Sequence, residues 1–186
     1  MHIECLPPEG QRLLGRFKDI ASDNHLVLAG GTALALQLGH RISVDLDFFT
    51  ADDFSTESLI QEINKFKLGC QILQEGAGTL TCIVNGVKVS VLRYPYPFME
   101  TSAHVKDIPI AGVLDIAAMK VIAITQRGAK RDFVDLYFIM QNVPFWKVAA
   151  NMMKRFGTER ITPLLIGKAL VFFDDAEADP EPQYLR

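Results

Sequence analysis

GGTALALQLGHRISVDLDFF, residues 30–49, joins a glycine pair, a helical run and two aspartates within twenty residues. Ahead of it, His25-Leu26-Val27-Leu28-Ala29 is a short apolar run of strand character that stops at Gly30-Gly31. Thr32 to Leu38 reads as a helix closed by Gly39. From Ile42 to Thr50 apolar and polar residues alternate through Val44, Asp45, Leu46, Asp47 and Phe48, the period of a strand. Backbone N–H groups at such a glycine turn can cradle phosphate, because no Cβ blocks the approach and the helix dipole favours an anion. Thirteen residues, 32–44, separate the glycine pair from Asp45. Asp45 and Asp47 flank one residue, so on a strand their carboxylates point the same way. Two carboxylates that close repel unless a divalent cation neutralises them, and magnesium shared with substrate phosphates is the expected ion. Each part also has a plainer reading. A glycine pair is often only a turn, and Asp-x-Asp on a strand is often a solvent-facing edge.

Outward from this stretch, Leu13, Leu14, Phe17 and Ile20 stand at helical spacing and predict an amphipathic helix over 9–21. Ser55 to Lys65 reads as a helix with Ser55 as its N-cap, and strands are expected at 70–75, 79–84 and 87–93, the last two joined by an Asn85-Gly86 hairpin. Pro95, Pro97 and the stretch to Pro109 form a seam, since proline removes ladder donors. Helices are predicted beyond it at 112–126, 130–141, 144–155 and 158–172. The fold class is α+β: a mixed sheet with flanking helices, followed by a C-terminal helical bundle. Residues 1–110 are expected to form the core and 111–173 a helical part that completes the site. Residues 174–186 are expected to be an acidic, mobile tail.

At 186 residues and 49% apolar, the chain can bury one real core, which excludes disorder over most of its length. No apolar run approaches the roughly 18 residues that cross a bilayer. MHIECLPPEG, residues 1–10, lacks the basic and then apolar pattern of a signal peptide. A cytoplasmic protein without a membrane partner is expected. Cys5, Cys70 and Cys82 are widely spaced with no CxxC, which argues against a disulfide framework or a zinc knuckle. The net charge of −3 hides an asymmetry. Residues 174–186 hold five acids and one base, while Lys120 to Lys168 holds nine bases and three acids, a candidate phosphate-facing region or a set of solvated helix faces.

A second block, KVIAITQRGAKRDFVDLYFI at 120–139, carries its own signal. Lys120 is the one charged residue between Ile116 and Ile124, in an apolar helix where an unpaired ammonium is costly. It must reach a carboxylate, a phosphate or water, or snorkel to the surface. Arg127, seven residues on, shares nearly the same face, and Asp132 and Asp135 are co-facial with each other. His40 and Arg41, just before the aspartate strand, are candidates to touch phosphate, though an isolated histidine is commonly structural.

A small-residue turn opening a helix, then Asp-x-Asp between Val44 and Phe48, resembles the signature of the nucleotidyltransferase superfamily of polymerase-beta-like and antibiotic-modifying enzymes. With the 120–139 block, the chain more narrowly resembles the AbiEii/AbiGii family of nucleotidyltransferase-like toxins, over about residues 10–140. The resemblance implies a nucleotidyltransferase-like fold and transfer of a nucleoside monophosphate from an NTP. Asp45 and Asp47 would be catalytic ligands of Mg2+, Gly30, Gly31 and Thr32 phosphate contacts, and Lys120, Asp132 and Asp135 the remaining catalytic groups. Arg41 and Arg127 would neutralise nucleotide phosphates. The implied acceptor is RNA, with a tRNA 3′ end as one form, or a protein hydroxyl, and the implied partner is a separately encoded antitoxin. Many superfamily members carry a third carboxylate on a later strand, where Val87 to Leu92 offers Ser90. That departure keeps open two other readings: a catalytically weakened nucleotide-binding module, and a metal-dependent phosphohydrolase.

Overall fold

The structure, a computed structural model, describes residues 1–100 and 103–185. Helix α1 (Pro8–Asp23) begins with proline in its first turn, where no N–H is needed, and buries Leu13, Leu14, Phe17 and Ile20 as one stripe. Strand β1 (Val27–Ala29) feeds directly into α2 (Gly30–Leu38), which ends on Gly39 in the left-handed conformation. Helix α2 is apolar on all sides and accordingly buried, with Ala33, Leu34, Ala35 and Leu36 at 0% exposure. Next come β2 (Leu46–Thr50), α3 (Thr56–Lys65) and three strands, β3 (Cys70–Gly76), β4 (Thr79–Val84) and β5 (Val87–Arg93). Ser55 caps α3 by accepting from Ser58 N, and Asn85 and Gly86 both take positive φ in the β4–β5 turn.

Two short strands, β6 (Ala103–Val105) and β7 (Ile108–Ile110), occupy the proline seam, where the sequence predicts none. Their turn, Lys106-Asp107, has positive φ at both residues. Pro109 is tolerated because β7 meets β1 only at Leu28↔Ile110. The sheet order is β3-β4-β5-β2-β1-β7-β6. It is mixed: β2 runs parallel to β5 and β1 to β7, while the other pairs are antiparallel. Leu28, Phe48, Val89, Val91, Ile108 and Ile110 fill its core, and Phe17 stacks on Phe48 at 5.0 Å between ring centroids.

After the sheet come α4 (Val113–Arg127), α5 (Lys130–Met140), α6 (Phe145–Phe156), α7 (Pro163–Leu170) and the short α8 (Asp174–Ala178). The helix expected at 158–172 is split: Thr158–Arg160 is a 3-10 turn, and Pro163 begins a new helix. The same hydrophobic cluster holds sheet residues and Ile116, Val121, Leu136 and Val148 of these helices. No helix among the described residues is long and apolar enough to cross a membrane.

Two further expectations change. The aspartate strand starts at Leu46 rather than Ile42, because the backbone before it is engaged elsewhere. Ile42 N donates to Gln183 O (2.8 Å), Leu185 N to His40 O (2.9 Å) and Ser43 N to Cys5 O (2.9 Å). For the same reason residues 174–185 are not a free tail in this structure. Lys130 N donates to Asp179 Oδ2 (2.9 Å), Lys130 Nζ to Glu181 Oε1 (3.0 Å), and Ala176 is buried.

Candidate active site

The β1–α2 junction places Gly30 at φ 68° with the Asp47 carboxylate against it: a Cβ on Gly30 would lie 3.1 Å from Asp47 Oδ2. Asp47 follows because β2 returns antiparallel to β1, in register at Ala29↔Asp47. Thr32, also in the first turn of α2, is 2% exposed and does not face outward. Its hydroxyl donates to the Asp45 carbonyl and lies 2.7 Å from Ser43 Oγ, so it fixes the backbone that carries Asp45. Ala29 at the N-cap of α2 supplies no side-chain acceptor, and among the described residues no side-chain cap is seen on the first-turn N–H groups beside Asp47.

Across the sheet, Asp47 is the register partner of Ser90 on β5. Burial pushes the Asp47 pKa upward, and the neighbouring Asp45 charge adds to the rise; a Ser90 hydrogen bond and the charges of Lys120 and Lys88 pull the other way without cancelling it. Asp45 and Asp47 have no ion-pair partner among the described residues.

Behind them lies a buried ionic cluster. Asp135, at 0% exposure, accepts from Arg41 Nε (2.7 Å) and His40 Nε2 (2.8 Å) on one oxygen. Its other oxygen accepts from Arg41 Nη2 (2.8 Å) and lies 2.6 Å from Lys120 Nζ. Asp132, equally buried, accepts from Lys120 Nζ (2.8 Å), Arg127 Nε (2.8 Å) and Arg127 Nη2 (3.1 Å). Burial alone would raise the pKa of both acids. At Asp135 the Arg41 and His40 hydrogen bonds and the Lys120 charge reverse this, and at Asp132 Arg127 and Lys120 do so; both carboxyls are held below the usual range. The Arg127 pKa is raised, chiefly by the Asp132 hydrogen bond, and the Asp47 charge contributes, which places this half-exposed guanidinium within electrostatic reach of Asp47.

Every candidate except Ser90's missing acid is thus brought to one locality, but in two layers. Asp45, Asp47, Arg127 and the start of α2 form the outer one. Arg41, Lys120, Asp132 and Asp135 form the inner one, where each charge already has a partner. Gly31 belongs to the inner layer: a Cβ there would lie 2.3 Å from Arg41 Nη2, so its lack of a side chain admits the guanidinium. Arg41, 6% exposed, is committed to Asp135 and the Ile42 carbonyl rather than turned to a phosphate. The basic stretch from 120 to 168 is likewise partly internal, since Lys120 and Arg155 are buried in ion pairs.

Of the four carboxylates here, Asp132 and Asp135 are ion-paired with Arg41, Lys120 and Arg127, while Asp45 and Asp47 adjoin each other with no ion pair, Lys88 and Lys120 acting on Asp47 only through their charge. Such a donor set fits a divalent cation of the magnesium kind, which takes one or two carboxylates and completes its shell with phosphate oxygens and water. No group of three or more His, Cys, Asp or Glu side chains suited to a metal occurs among the described residues, so an all-protein cage is not what this site offers.

A sequence profile described as nucleotidyl transferase AbiEii toxin, type IV TA system, matches residues 12–69 and 87–185. The chain belongs to this AbiEii family. An uncharacterised protein of Aquifex aeolicus (strain VF5) is 35% identical over 178 residues, 94% of this chain and 86% of that one. Among solved structures, MenT4, a nucleotidyltransferase toxin from Mycobacterium tuberculosis H37Rv, superposes with a TM-score of 0.53 at 18% identity, covering 77% of this chain and 62% of that chain. JHP933 from Helicobacter pylori gives 0.53 at 18% identity, over 86% and 85%. These likenesses establish the nucleotidyltransferase fold for the AbiEii chain.

A second buried network of the AbiEii chain escaped the sequence reading. Asp115, at 0% exposure, accepts from Met99 N (2.7 Å), Glu100 N (2.9 Å) and Asn151 Nδ2 (3.0 Å), with Arg155 Nε at 3.5 Å. An acid inside the apolar run 113–124 is the same signal that drew attention to Lys120. It pins the segment 94–100 onto α4 and α6.

Proposed function

We propose that the chain transfers a nucleoside monophosphate from an NTP to a hydroxyl of an RNA or protein acceptor, with a magnesium-type cation held by Asp45 and Asp47. One observation carries this reading: in a cluster where Asp132 and Asp135 are fully paired with cations, Asp45 and Asp47 alone are adjacent and unpaired. When bound, the cation would align the triphosphate and stabilise charge developing at the α-phosphate. The protein's own contribution is positioning and electrostatics. The first-turn N–H groups of α2 at Gly30 and Gly31 bind phosphate oxygens. Arg127, anchored through Nε and Nη2 on Asp132, turns its half-exposed guanidinium to the same anion. Thr32 sets the Asp45 backbone. Lys120, Arg41, Asp132 and Asp135 hold the helices and the residue 40–45 segment together, and the two acids, kept ionised by their partners, are poor proton acceptors. In the reaction the acceptor hydroxyl oxygen bonds to the α-phosphorus while the bond from that phosphorus to the α,β-bridging oxygen breaks, releasing pyrophosphate, and the hydroxyl proton passes to water. Cytoplasmic location and control by an antitoxin belong to this same reading, supported by family membership.

Incubation with α-labelled NTP, Mg2+ and a mixed RNA and protein extract tests it. Label should enter a macromolecule with the wild type and be lost with Asp45→Asn/Asp47→Asn. Equal labelling by both would refute the assignment. Ser90 supports a second reading, a nucleotide-binding module with weakened turnover, because no acid stands beside Asp47 on β5. NTP and Mg2+ binding without pyrophosphate release would favour it, and free phosphate as product would point to hydrolysis.

A further inference from the structure

β5 ends at Arg93, and Tyr94, one residue beyond it and four from Ser90, still donates its N–H to Thr50 O (2.7 Å) of β2. There the chain turns into the aromatic segment Tyr94-Pro95-Tyr96-Pro97-Phe98, which covers α4 and leaves a groove of about 440 Å3. Tyr94, Tyr96, Met119, Gln126, Phe156 and Arg160 line it. On α4, Met119 and Gln126 stand one residue before Lys120 and Arg127, and one residue is a turn of about 100°. Groove and site cations therefore occupy neighbouring stripes of one helix.

The aromatic segment is held rigid from behind. Buried Arg155 donates to Pro97 O (2.8 Å) and Asp115 O (2.8 Å), and its guanidinium lies 5.6 Å from the Tyr94 ring centroid and 5.1 Å from those of Phe98 and Phe156. In front, exposed Arg160 lies 5.7 Å from the Tyr96 ring centroid, adding a flat cation to the groove's edge. Flat π-faces, a guanidinium plane and the exposed Gln126 amide are what an unpaired nucleobase requires: a stacking surface, a positive rim and an edge that hydrogen-bonds.

We infer that this groove is a nucleobase site, in which Tyr96 and Arg160 stack an unpaired base of the nucleotide or RNA engaged at Asp45 and Asp47. It rests on the proposed transferase reading for its ligand but uses neither aspartate. The base can come from the donor NTP or from a single-stranded RNA end, and the test separates them.

Binding of each NTP, as its non-transferable α,β-methylene analogue, and of a five-nucleotide single-stranded RNA to the full chain is followed by saturation-transfer NMR at the base protons. Tyr96→Ala and Arg160→Ala should each weaken binding roughly five- to a hundred-fold, the scale of one lost base stack. Tyr96→Phe, which keeps the ring but removes the hydroxyl that accepts from Arg160 Nη1, should bind more tightly than Tyr96→Ala and no better than the wild type. Weakening confined to NTP assigns the groove to the donor base, and weakening confined to the oligonucleotide assigns it to the acceptor. Unchanged affinity for both ligands in both alanine variants, with melting temperatures preserved, overturns the inference. Because the readout is binding, it stands apart from any failure of Asp45→Asn/Asp47→Asn to stop transfer.

Discussion

Arg41 grips both carboxylate oxygens of Asp135, at 2.7 and 2.8 Å, and its guanidinium occupies the space that a side chain on Gly31 would take. Ninety-four residues separate the partners, so this fork ties the segment leading to Asp45 to helix α5. Gly31→Ala puts a methyl 2.3 Å from Arg41 Nη2. Overpacking of this kind costs about 1–3 kcal/mol, and at this size each kcal/mol lowers the melting temperature by roughly 2–4 °C. Gly15, exposed on α1 with no neighbouring atom within 4 Å of where a Cβ would sit, is the control: Gly15→Ala should stabilise by about 1 kcal/mol. Thermal melts of the two variants should move in opposite directions.

Asp135→Asn removes the charge that Arg41 and Lys120 both engage. Leaving buried cations uncompensated typically costs about 3–5 kcal/mol, so chemical denaturation should show a loss of that size. The pH dependence has a definite sign. With its folded pKa depressed, Asp135 contributes stability that is complete above its unfolded pKa of about 4 and is lost as pH falls toward the folded value, since the unfolded chain then binds the proton first. Asp132 acts in the same direction. Wild-type stability should therefore drop steeply below about pH 4, and Asp135→Asn should flatten that limb. An unchanged acid limb would show that the carboxylate is not held as the geometry indicates.

Asp47 behaves oppositely. Burial and the Asp45 charge raise its pKa, so its ionised form is a cost to the folded state at neutral pH, relieved as pH falls through the raised value. Asp47→Asn should raise the melting temperature in metal-free buffer while abolishing transfer. Mg2+ should stabilise the wild type and not the variant, because only a ligand bound by the folded state shifts the equilibrium. Scanning calorimetry with and without Mg2+ checks both.

These opposed acids also mark what a linear reading could reach. The glycine pair, the Asp-x-Asp and the lone lysine in an apolar helix were legible because each is a local violation of a rule: a missing side chain, acids on a strand, a charge among apolar residues. Helical spacing put Arg127 near the face of Lys120 and Asp132 on that of Asp135, whereas the meeting of Lys120 with both acids is set by the packing of α4 against α5. Arg41 on Asp135 was not legible, since nothing local distinguishes a paired arginine from one aimed at phosphate. Strands β6 and β7 were missed because three-residue strands around Pro109 carry almost no periodicity. The segment 42–45 alternated like a strand, yet Ile42 N is taken up by Gln183 and Ser43 N by Cys5, partners set by tertiary packing.

Ser90, in register with Asp47 across β2 and β5, marks the place of the absent third acid. Ser90→Asp would set a carboxylate beside Asp47 and Asp45. Like-charge repulsion should lower stability without metal, and the added ligand should tighten Mg2+ binding. Isothermal titration against Mg2+ and a metal-free melt should show both changes together. Tighter binding with faster transfer would mean that the serine limits turnover, whereas tighter binding without it would favour the binding-module reading.

The C-terminal segment supplies the last prediction. Gln183 and Leu185 bond to Ile42 and His40 on either side of Arg41, and Asp179 accepts from the first N–H of α5, two residues before Asp132. Truncation after Phe173 removes the partner of Ile42 N and the cap at Lys130, while leaving the ions of the inner cluster in place. Amide exchange at residues 40–43 should then accelerate well before the sheet strands β1 and β2 exchange, because a strap is lost and the core is not. Loosening Arg41 also loosens the carrier of Asp45, so transfer should fall with the truncation even where the melt of the sheet is little changed. Protection at 40–43 equal to that of the full chain would show that the segment merely lies on the surface and holds nothing.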